Sequence, residues 1–308
     1  YVFGCSLMSL GIDYFVCMMQ TMQRACDAKG YELNLVHADS DAARQYDQVM
    51  DFIQKDVDAI IVGPLDSDGI IGAVEAANEA DIPVFCIDTY ANGGDFVEAV
   101  NTDNYGMGVE AAHQIAARLT ERYGEPRGKV FNLIMSLKFS SGVARDQGFK
   151  DTIEAEYPDI EIVLEMDASV QNSTGIDAGM NCTLDALQQL PEGELDAMWC
   201  HNDNNVIGAI RAMEQVGRLY PADDERHIII YGVDGQENVY EMIVEGSVDG
   251  MIMQQPGGMS RYIIDSVEAY LTEGTRPAEA DRITFYPYKA ITHWNYNSEE
   301  ITSEPLWF

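Results

Sequence analysis

Basic residues are scarce in this chain of 308 residues. Eighteen Lys and Arg stand against 52 Asp and Glu, a formal net charge of −34. A surface of that sign repels nucleic acid phosphates and anionic lipid headgroups, so neither is an expected partner. Long apolar runs are lacking as well. None approaches the roughly 18 residues that cross a bilayer; candidates such as Val57 to Val62, which Asp58 interrupts, have the length of a strand. The six cysteines, Cys5, Cys17, Cys26, Cys86, Cys182 and Cys200, form no C-x-x-C pair. Most sit inside apolar runs and read as small core hydrophobes, with no disulfide framework expected. Catalytic signatures are missing too: there is no G-x-S-x-G, no H-E-x-x-H and no G-x-x-x-x-G-K-[ST].

Two partial motifs invite a cofactor reading. Cys200, His201 and Asp203 are close in sequence, but alternate strand residues face opposite sides, and no metal site is expected. Gly106-Met107-Gly108-Val109-Glu110-Ala111 fits the loose dinucleotide pattern G-x-G-x-x-A. It does not sit at the tip of a buried strand, and no acidic strand end follows at the right distance. A close-packed helix start accounts for it, and no cofactor is expected.

What is present is the composition of a globular protein, 46% hydrophobic and 23% charged. The length suggests two domains. Short apolar runs alternate with amphipathic stretches. Val2–Leu7, Tyr31–His37, Asp58–Gly63 and Ile82–Ile87 read as strands, with helices at Tyr14–Lys29, Ala42–Lys55 and Ser67–Ala80. The scheme then repeats. Lys129–Met135, Glu161–Met166, Ala197–His201, His227–Val233 and Ser247–Gln254 read as strands. Helices are expected at Asn104–Tyr123, Gly142–Glu156, Gly175–Leu190, Asn204–Gly217, Gln236–Glu245 and Gly258–Glu273. Strands that are continuously apolar are buried on both faces of a parallel sheet. Such a series of βα units predicts an α/β protein with doubly wound sheets, and here there are enough for two.

A faint internal echo supports that count. Asp58-Ala59 opens a strand that leads to Asp66 and Ile71-Gly72-Ala73-Val74-Glu75-Ala76. Asp196-Ala197 opens one that leads to Asp203 and Ile207-Gly208-Ala209-Ile210-Arg211-Ala212. Each helix is followed by a strand that ends in Asp, at Asp88 and Asp234. Two generic units of similar composition and a duplicated domain are both open readings. Either way, both aspartates lie at carboxyl ends of parallel strands, where open α/β sheets bind ligands.

The candidate ligand-binding set is Asp13, Tyr14, Phe15, Asp88, Arg145, Asn202, Asp234 and Gln254. Singly, each has an ordinary explanation. Asp88, Asp203 and Asp234 can cap helices, and Tyr14 and Phe15 can belong to the core. Together they suit a neutral sugar. Carboxylates accept from neighbouring hydroxyls, and Arg donates a rigid fork. Amides both donate and accept, and an aromatic face covers the apolar side of a pyranose.

At this point the chain resembles the substrate-binding proteins of ABC sugar transporters, in the ribose- and galactose-binding branch. The resemblance rests on Trp199-Cys200-His201-Asn202-Asp203 with Gly208-Ala209-Ile210-Arg211-Ala212, and on Tyr231-Gly232-Val233-Asp234-Gly235. Met253-Gln254-Gln255-Pro256, Ile82-Pro83-Val84 with Asp88, Asp103-Asn104-Tyr105, and Ala144-Arg145 ahead of Gly148-Phe149 add to it. It implies two similar doubly wound domains joined by a three-crossover hinge, with the ligand cleft between them. One lobe would hold residues 1–103 plus about 256–285, the other 104–255 plus about 286–308. It also implies the ligand-contacting roles of Asp88, Arg145, Asn202, Asp234 and Gln254. Asp13 and Phe15 match galactose-type members, with Tyr14 as an alternative stacking residue.

Three departures qualify the match. Ribose-type members carry Arg after the residue matched by Asp88, where this chain has Thr89. The loop Ser169-Val170-Gln171-Asn172-Ser173-Thr174 lacks the usual aromatic, which leaves Phe139 as a substitute. The calcium loop of galactose binders has no counterpart around Gly124–Gly128, and no metal is implied.

The expected function is therefore a monomeric, extracytoplasmic binding protein, not an enzyme. It would close on a neutral hexose or pentose by hinge bending and deliver it to an ABC transporter permease. Alternatives are the effector domain of a sugar-responsive repressor, a sensor for a chemoreceptor or kinase, and a glycosidase. The chain starts at Tyr1 without Met. A processed N-terminus or a trimmed chain is expected; any signal peptide or lipoprotein cysteine would lie upstream, and the expected location is the periplasm or, lipid-anchored, the outer face of the membrane.

Overall fold

The computed structural model describes residues 1–9, 11–171 and 175–302. The chain opens with β1 (Val2–Leu7), α1 (Asp13–Lys29), β2 (Glu32–His37), α2 (Ala42–Gln54), β3 (Ala59–Val62), α3 (Ile71–Glu79), β4 (Val84–Ile87) and β5 (Phe96–Thr102). It continues through α4 (Asn104–Tyr123), β6 (Gly128–Ile134), α5 (Ser140–Glu156), β7 (Ile160–Asp167), α6 (Gly175–Gln189) and β8 (Ala197–Cys200). Then come α7 (Asp203–Val216), β9 (Ile229–Asp234), α8 (Glu237–Glu245) and β10 (Gly250–Met253). The last elements are α9 (Pro256–Glu273), β11 (Ile283–Tyr286), β12 (Lys289–Thr292) and α10 (Glu299–Thr302).

Two compact units result. The first holds Tyr1–Thr102 and Gln255–Pro287; the second holds Asp103–Gln254 and the described residues from Tyr288 on. Each contains one six-stranded sheet. The first sheet runs β11-β5-β4-β3-β1-β2 and the second β12-β10-β9-β8-β6-β7. Position by position the orders correspond, so β3 matches β8 and β4 matches β9. The pairs are parallel except β10 with β12, which is antiparallel.

The internal echo has a physical basis in this correspondence. Asp58, just before β3, accepts the Val2 N–H at 2.7 Å and donates its own N–H to the Val2 carbonyl at 2.8 Å. Asp196, just before β8, does the same with Lys129, at 2.7 and 2.9 Å. In both units an aspartate therefore fixes the register where two central strands begin.

The central strands are buried on both faces, as β3, β4, β8 and β10 show along their whole lengths. Phe3, Leu7, Met18, Phe85 and Ile263 pack in the first unit, and Phe149, Trp199, Tyr231 and Leu119 in the second. The Phe149 and Trp199 rings stack with centroids 5.9 Å apart. All six cysteines are free thiols; five are buried and Cys17 is half-buried. Burial raises the Cys86 thiol to about 12 and the Cys26 thiol to about 11.

The G-x-G-x-x-A stretch lies within α4. A Cβ on Gly108 would come 2.2 Å from the Arg145 carbonyl oxygen, and one on Gly148 would come 2.1 Å from that of Tyr105. These two glycines let α4 and α5 meet backbone to backbone. The motif is a helix-packing device.

Candidate functional site

The residues of interest fall into one group per unit, each at the carboxyl ends of the strands. In the first unit β4 ends at Ile87 and Asp88 follows with φ 70°. Thr89 N–H donates to the Ile87 carbonyl at 2.8 Å, closing a three-residue turn around Asp88. A γ-turn with positive φ is rare and strained, and a non-glycine residue held there costs on the order of 1–3 kcal/mol. The Tyr14 hydroxyl donates to Asp88 Oδ1 at 2.7 Å. Tyr14 reaches it from the first turn of α1, and its ring meets Phe15 edge-on at 5.2 Å.

Asp13 is exposed at the first position of α1, where the helix dipole favours a negative charge. Phe15 packs into the core of the unit and is 7% exposed. Its ring is thus committed to packing and offers little stacking face. Thr89 is buried with its hydroxyl on the Pro64 carbonyl at 2.7 Å, so it does not stand in for the arginine of ribose-type sequences.

In the second unit β9 ends in Asp234, at the sheet position that β4 occupies in the first. Asp234 has φ 116° and Gly235 φ 118°. Gln254, just past β10, donates its N–H to the Asp234 carbonyl at 2.9 Å and its side-chain Nε2 to Asp234 Oδ1 at 2.7 Å. Arg145 Nη2 lies 3.6 Å from the same oxygen. Arg145 is nearly fully buried. Its Nε donates to Asn104 Oδ1 at 2.9 Å and its Nη1 to the His201 carbonyl at 2.5 Å. A strained strand-end aspartate, its Oδ1 held by a neighbouring donor, thus recurs in both units.

The helix caps differ from the sequence expectation. Asn202 is the N-cap of α7 and its side chain accepts from Asn205 N–H at 2.9 Å. Gln236 is the N-cap of α8. Asp203 is the first residue of α7, fully buried, and its Oδ2 accepts from Gly235 N–H at 2.7 Å and Gln236 N–H at 2.5 Å.

Burial raises the carboxyls of Asp203 and Asp234 above the ordinary range. The negative charge of Asp234 pushes Asp203 further up, while Arg145 draws both back. Burial lowers His201 well below its usual value, with Arg145 and Lys150 adding to the effect. His201 is therefore neutral, and its Nε2–H donates to Asn132 Oδ1 at 2.9 Å. That tautomer follows because the Asn132 amide nitrogen already donates to Asp146 at 2.7 Å.

Among the described residues no group of three or more His, Cys, Asp or Glu is placed to hold a metal ion. The loop proposed to lack a stacking aromatic falls partly on 172–174, outside the described residues. Phe139 is the N-cap of α5 and is 38% exposed. Asn104 and the His201 carbonyl were not legible as site groups. Asn104 showed only as part of Asp103-Asn104-Tyr105, and a backbone carbonyl leaves no mark in a sequence.

A family model described as a periplasmic binding protein domain matches residues 3–275. The chain belongs to the periplasmic binding protein family. Such proteins bind substrates for transport and are not enzymes. The ribose import binding protein RbsB of Bacillus subtilis (strain 168) is 27% identical over 256 residues, covering 83% of this chain and 77% of the relative. An ABC transporter solute binding protein from Bacillus halodurans C-125, solved with bound myo-inositol, is 26% identical. It covers 97% of this chain and 96% of its own, with a TM-score of 0.83. A carbohydrate transporter solute binding protein from Agrobacterium radiobacter, in complex with D-arabinose, has a TM-score of 0.85 at 18% identity. It covers 98% of this chain and 97% of its own, and shares the type I periplasmic binding protein fold.

Proposed function

We propose that this periplasmic binding protein captures a neutral monosaccharide or polyol outside the cytoplasm and hands it to the permease of an ABC importer. The observation that carries the reading is the matched pair of strand-end aspartates, Asp88 and Asp234. Both are held at positive φ with one carboxylate oxygen already bonded. A carboxylate so fixed is set in place before a ligand arrives and gives up little freedom when it binds.

The ligand chemistry follows from the donors and acceptors. Asp88, Asp234 and Asp13 accept from hydroxyls; Arg145, Gln254 and the Asn202 amide nitrogen donate. Arg145 and Asp234 already offset each other, so the second-unit group has little attraction for a charged ligand. Sugars present neighbouring hydroxyls that both donate and accept, which suits alternating carboxylates and amides. Relatives named for ribose and solved with myo-inositol or D-arabinose support that class. Thr89 turned inward argues for a hexose, a polyol or a pentose other than ribose.

In this reading one sugar engages both groups as the hinge bends, and the closed form docks on the permease as a monomer. Location in a periplasm, or on the outer face through a lipid anchor, is part of the same proposal. Calorimetric titration of wild type, Asp88→Ala and Asp234→Ala with pentoses, hexoses and inositols tests it. Wild type binds one of them, and each variant loses at least about 2 kcal/mol, the cost of leaving buried hydroxyls unpaired. Variants that bind like wild type would remove both aspartates from the site.

A further inference from the structure

We propose that Asp203 is a positioning residue that holds the Asp234–Gly235 turn in the conformation in which Asp234 can act. The turn cannot hold itself. Two consecutive residues, Asp234 and Gly235, have φ of 116° and 118°, and the first is not glycine, so local preference opposes the conformation. In the first unit the turn at Asp88 is closed by its own Thr89 N–H to Ile87 carbonyl bond, and the Asp88 N–H donates to the Val100 carbonyl at 2.9 Å. The bonds around Asp234 are made from outside. Gln254 fixes its carbonyl, and the two amides that follow it, Gly235 N–H and Gln236 N–H, both donate to Asp203 Oδ2.

Asp203 is built for that task. It is fully buried in the first turn of α7, and its other oxygen, Oδ1, is buried without a hydrogen-bond partner. A Cβ added to Gly232 would lie 3.5 Å from Oδ1 and 2.4 Å from Val206 Cγ2, so the carboxylate is seated against bare backbone with no room for a side chain. The helix start therefore divides its labour. Asn202 caps α7 at the strand end, and Asp203 turns inward to clasp the loop carrying Asp234. A carboxyl oxygen has two lone pairs, so the single Oδ2 can accept from both amides at once.

The geometric part stands alone; the effect on affinity rests on the sugar-binding reading. The experiment uses the full chain, without sugar and then with D-ribose, D-allose, D-arabinose and myo-inositol as probes. In sugar-free wild type the amides of Gly235 and Gln236 are expected downfield in the amide spectrum and slow to exchange with solvent. Asp203→Asn keeps an acceptor oxygen, so it is expected to retain both signals and bind the best probe within about threefold of wild type. Asp203→Ala is expected to lose both signals and at least about 30-fold in affinity while α7 and the rest of the spectrum persist. Rapid exchange of both amides in wild type would overturn the proposal. So would an Asp203→Ala protein that binds within threefold of wild type, or an Asp203→Asn protein as impaired as Asp203→Ala. If wild type binds none of the probes, the sugar-binding reading fails, and the amide signals of the three proteins still decide the role of Asp203.

Discussion

Replacing Arg145 by Ala removes a cation beside the buried Asp203 and the largely buried Asp234, and the consequence can be worked from the structure. Arg145 is 3% exposed and lies 3.6 Å from Asp234 Oδ1. Breaking a buried ion pair from one side costs about 3–5 kcal/mol, because the remaining charge is left uncompensated. The Asp234 side chain is 17% exposed, so water relieves part of this and the lower figure of about 3 kcal/mol applies near pH 8. The Asn104 oxygen and the His201 carbonyl also lose their donors. That share does not depend on pH.

The carboxyl share does. Without Arg145, both Asp203 and Asp234 rise further above the ordinary carboxylate range, so each takes up a proton sooner as the pH falls. Protonation removes the uncompensated charge, and the cost of Arg145→Ala should drop below about 2 kcal/mol near pH 5. Adding Asp234→Asn to Arg145→Ala should recover at least about 1 kcal/mol at pH 8, since the stranded charge is then gone. Urea unfolding followed by circular dichroism at both pH values measures all of this. A cost that is equal at pH 5 and pH 8, or an Asp234→Asn change that rescues nothing, would refute the electrostatic account.

Other outcomes follow from the same features. Asp203 is raised in the folded state, so its contribution to stability is present below the ordinary value near 3.9 and lost as pH rises through its folded value; the melting-temperature difference of Asp203→Asn over wild type should therefore grow from pH 5 to pH 8, and a constant difference would contradict it. Gly108→Ala forces a methyl to within 2.2 Å of the Arg145 carbonyl and should cost at least about 2 kcal/mol in urea unfolding, where a neutral result would show that α4 and α5 separate freely. Of six thiols only Cys17 is not fully buried, so a native chain should react with no more than one equivalent of an aromatic disulfide reagent within minutes; fast labelling of three or more would contradict the core. With a net charge of −34, raising salt from about 0.01 to 0.5 M shortens the screening length several-fold and should raise the melting temperature by several degrees, and a fall would refute self-repulsion.

The sequence carried the central strands because they are short, continuous apolar runs, and the helices because their ends are marked by residues such as Gly30 and Gly217, both left-handed caps. It did not show β5. Phe96–Thr102 contains Glu98, Asn101 and Thr102, and polar residues in a run read as loop. Glu98 is nonetheless buried, because Tyr262 donates to it at 2.6 Å, Thr284 at 2.9 Å, and Ser266 as well. Those partners lie some 160 residues or more away in sequence, beyond the reach of any local pattern. The edge strands β11 and β12 were missed for the complementary reason: Ile283–Tyr286 is only partly buried and Lys289–Thr292 half so, and neither is a continuous apolar run.

The candidate site was legible in the same uneven way. Asp88 and Asp234 stood out as polar residues that end apolar runs, and Arg145 as a cation after a Ser-Ser-Gly loop. Their positive φ values, and the clasp from Asp203, depend on hydrogen bonds between strand ends that no spacing encodes. The match to galactose-type sequences implies a stacking role for Phe15, yet the periodicity of α1 turns its ring into the core.

The most direct test of the sugar-binding account is the melting temperature of the chain, unfolded and refolded to strip any retained ligand. It should be measured against neutral pentoses, hexoses and inositols, with amino acids and nucleosides as controls. A ligand that binds only the folded state at about 100 times its dissociation constant adds about 2.7 kcal/mol, an upward shift of a few degrees. The account predicts that shift for at least one sugar or polyol and for no amino acid or nucleoside; a shift with a control and with no sugar would contradict it.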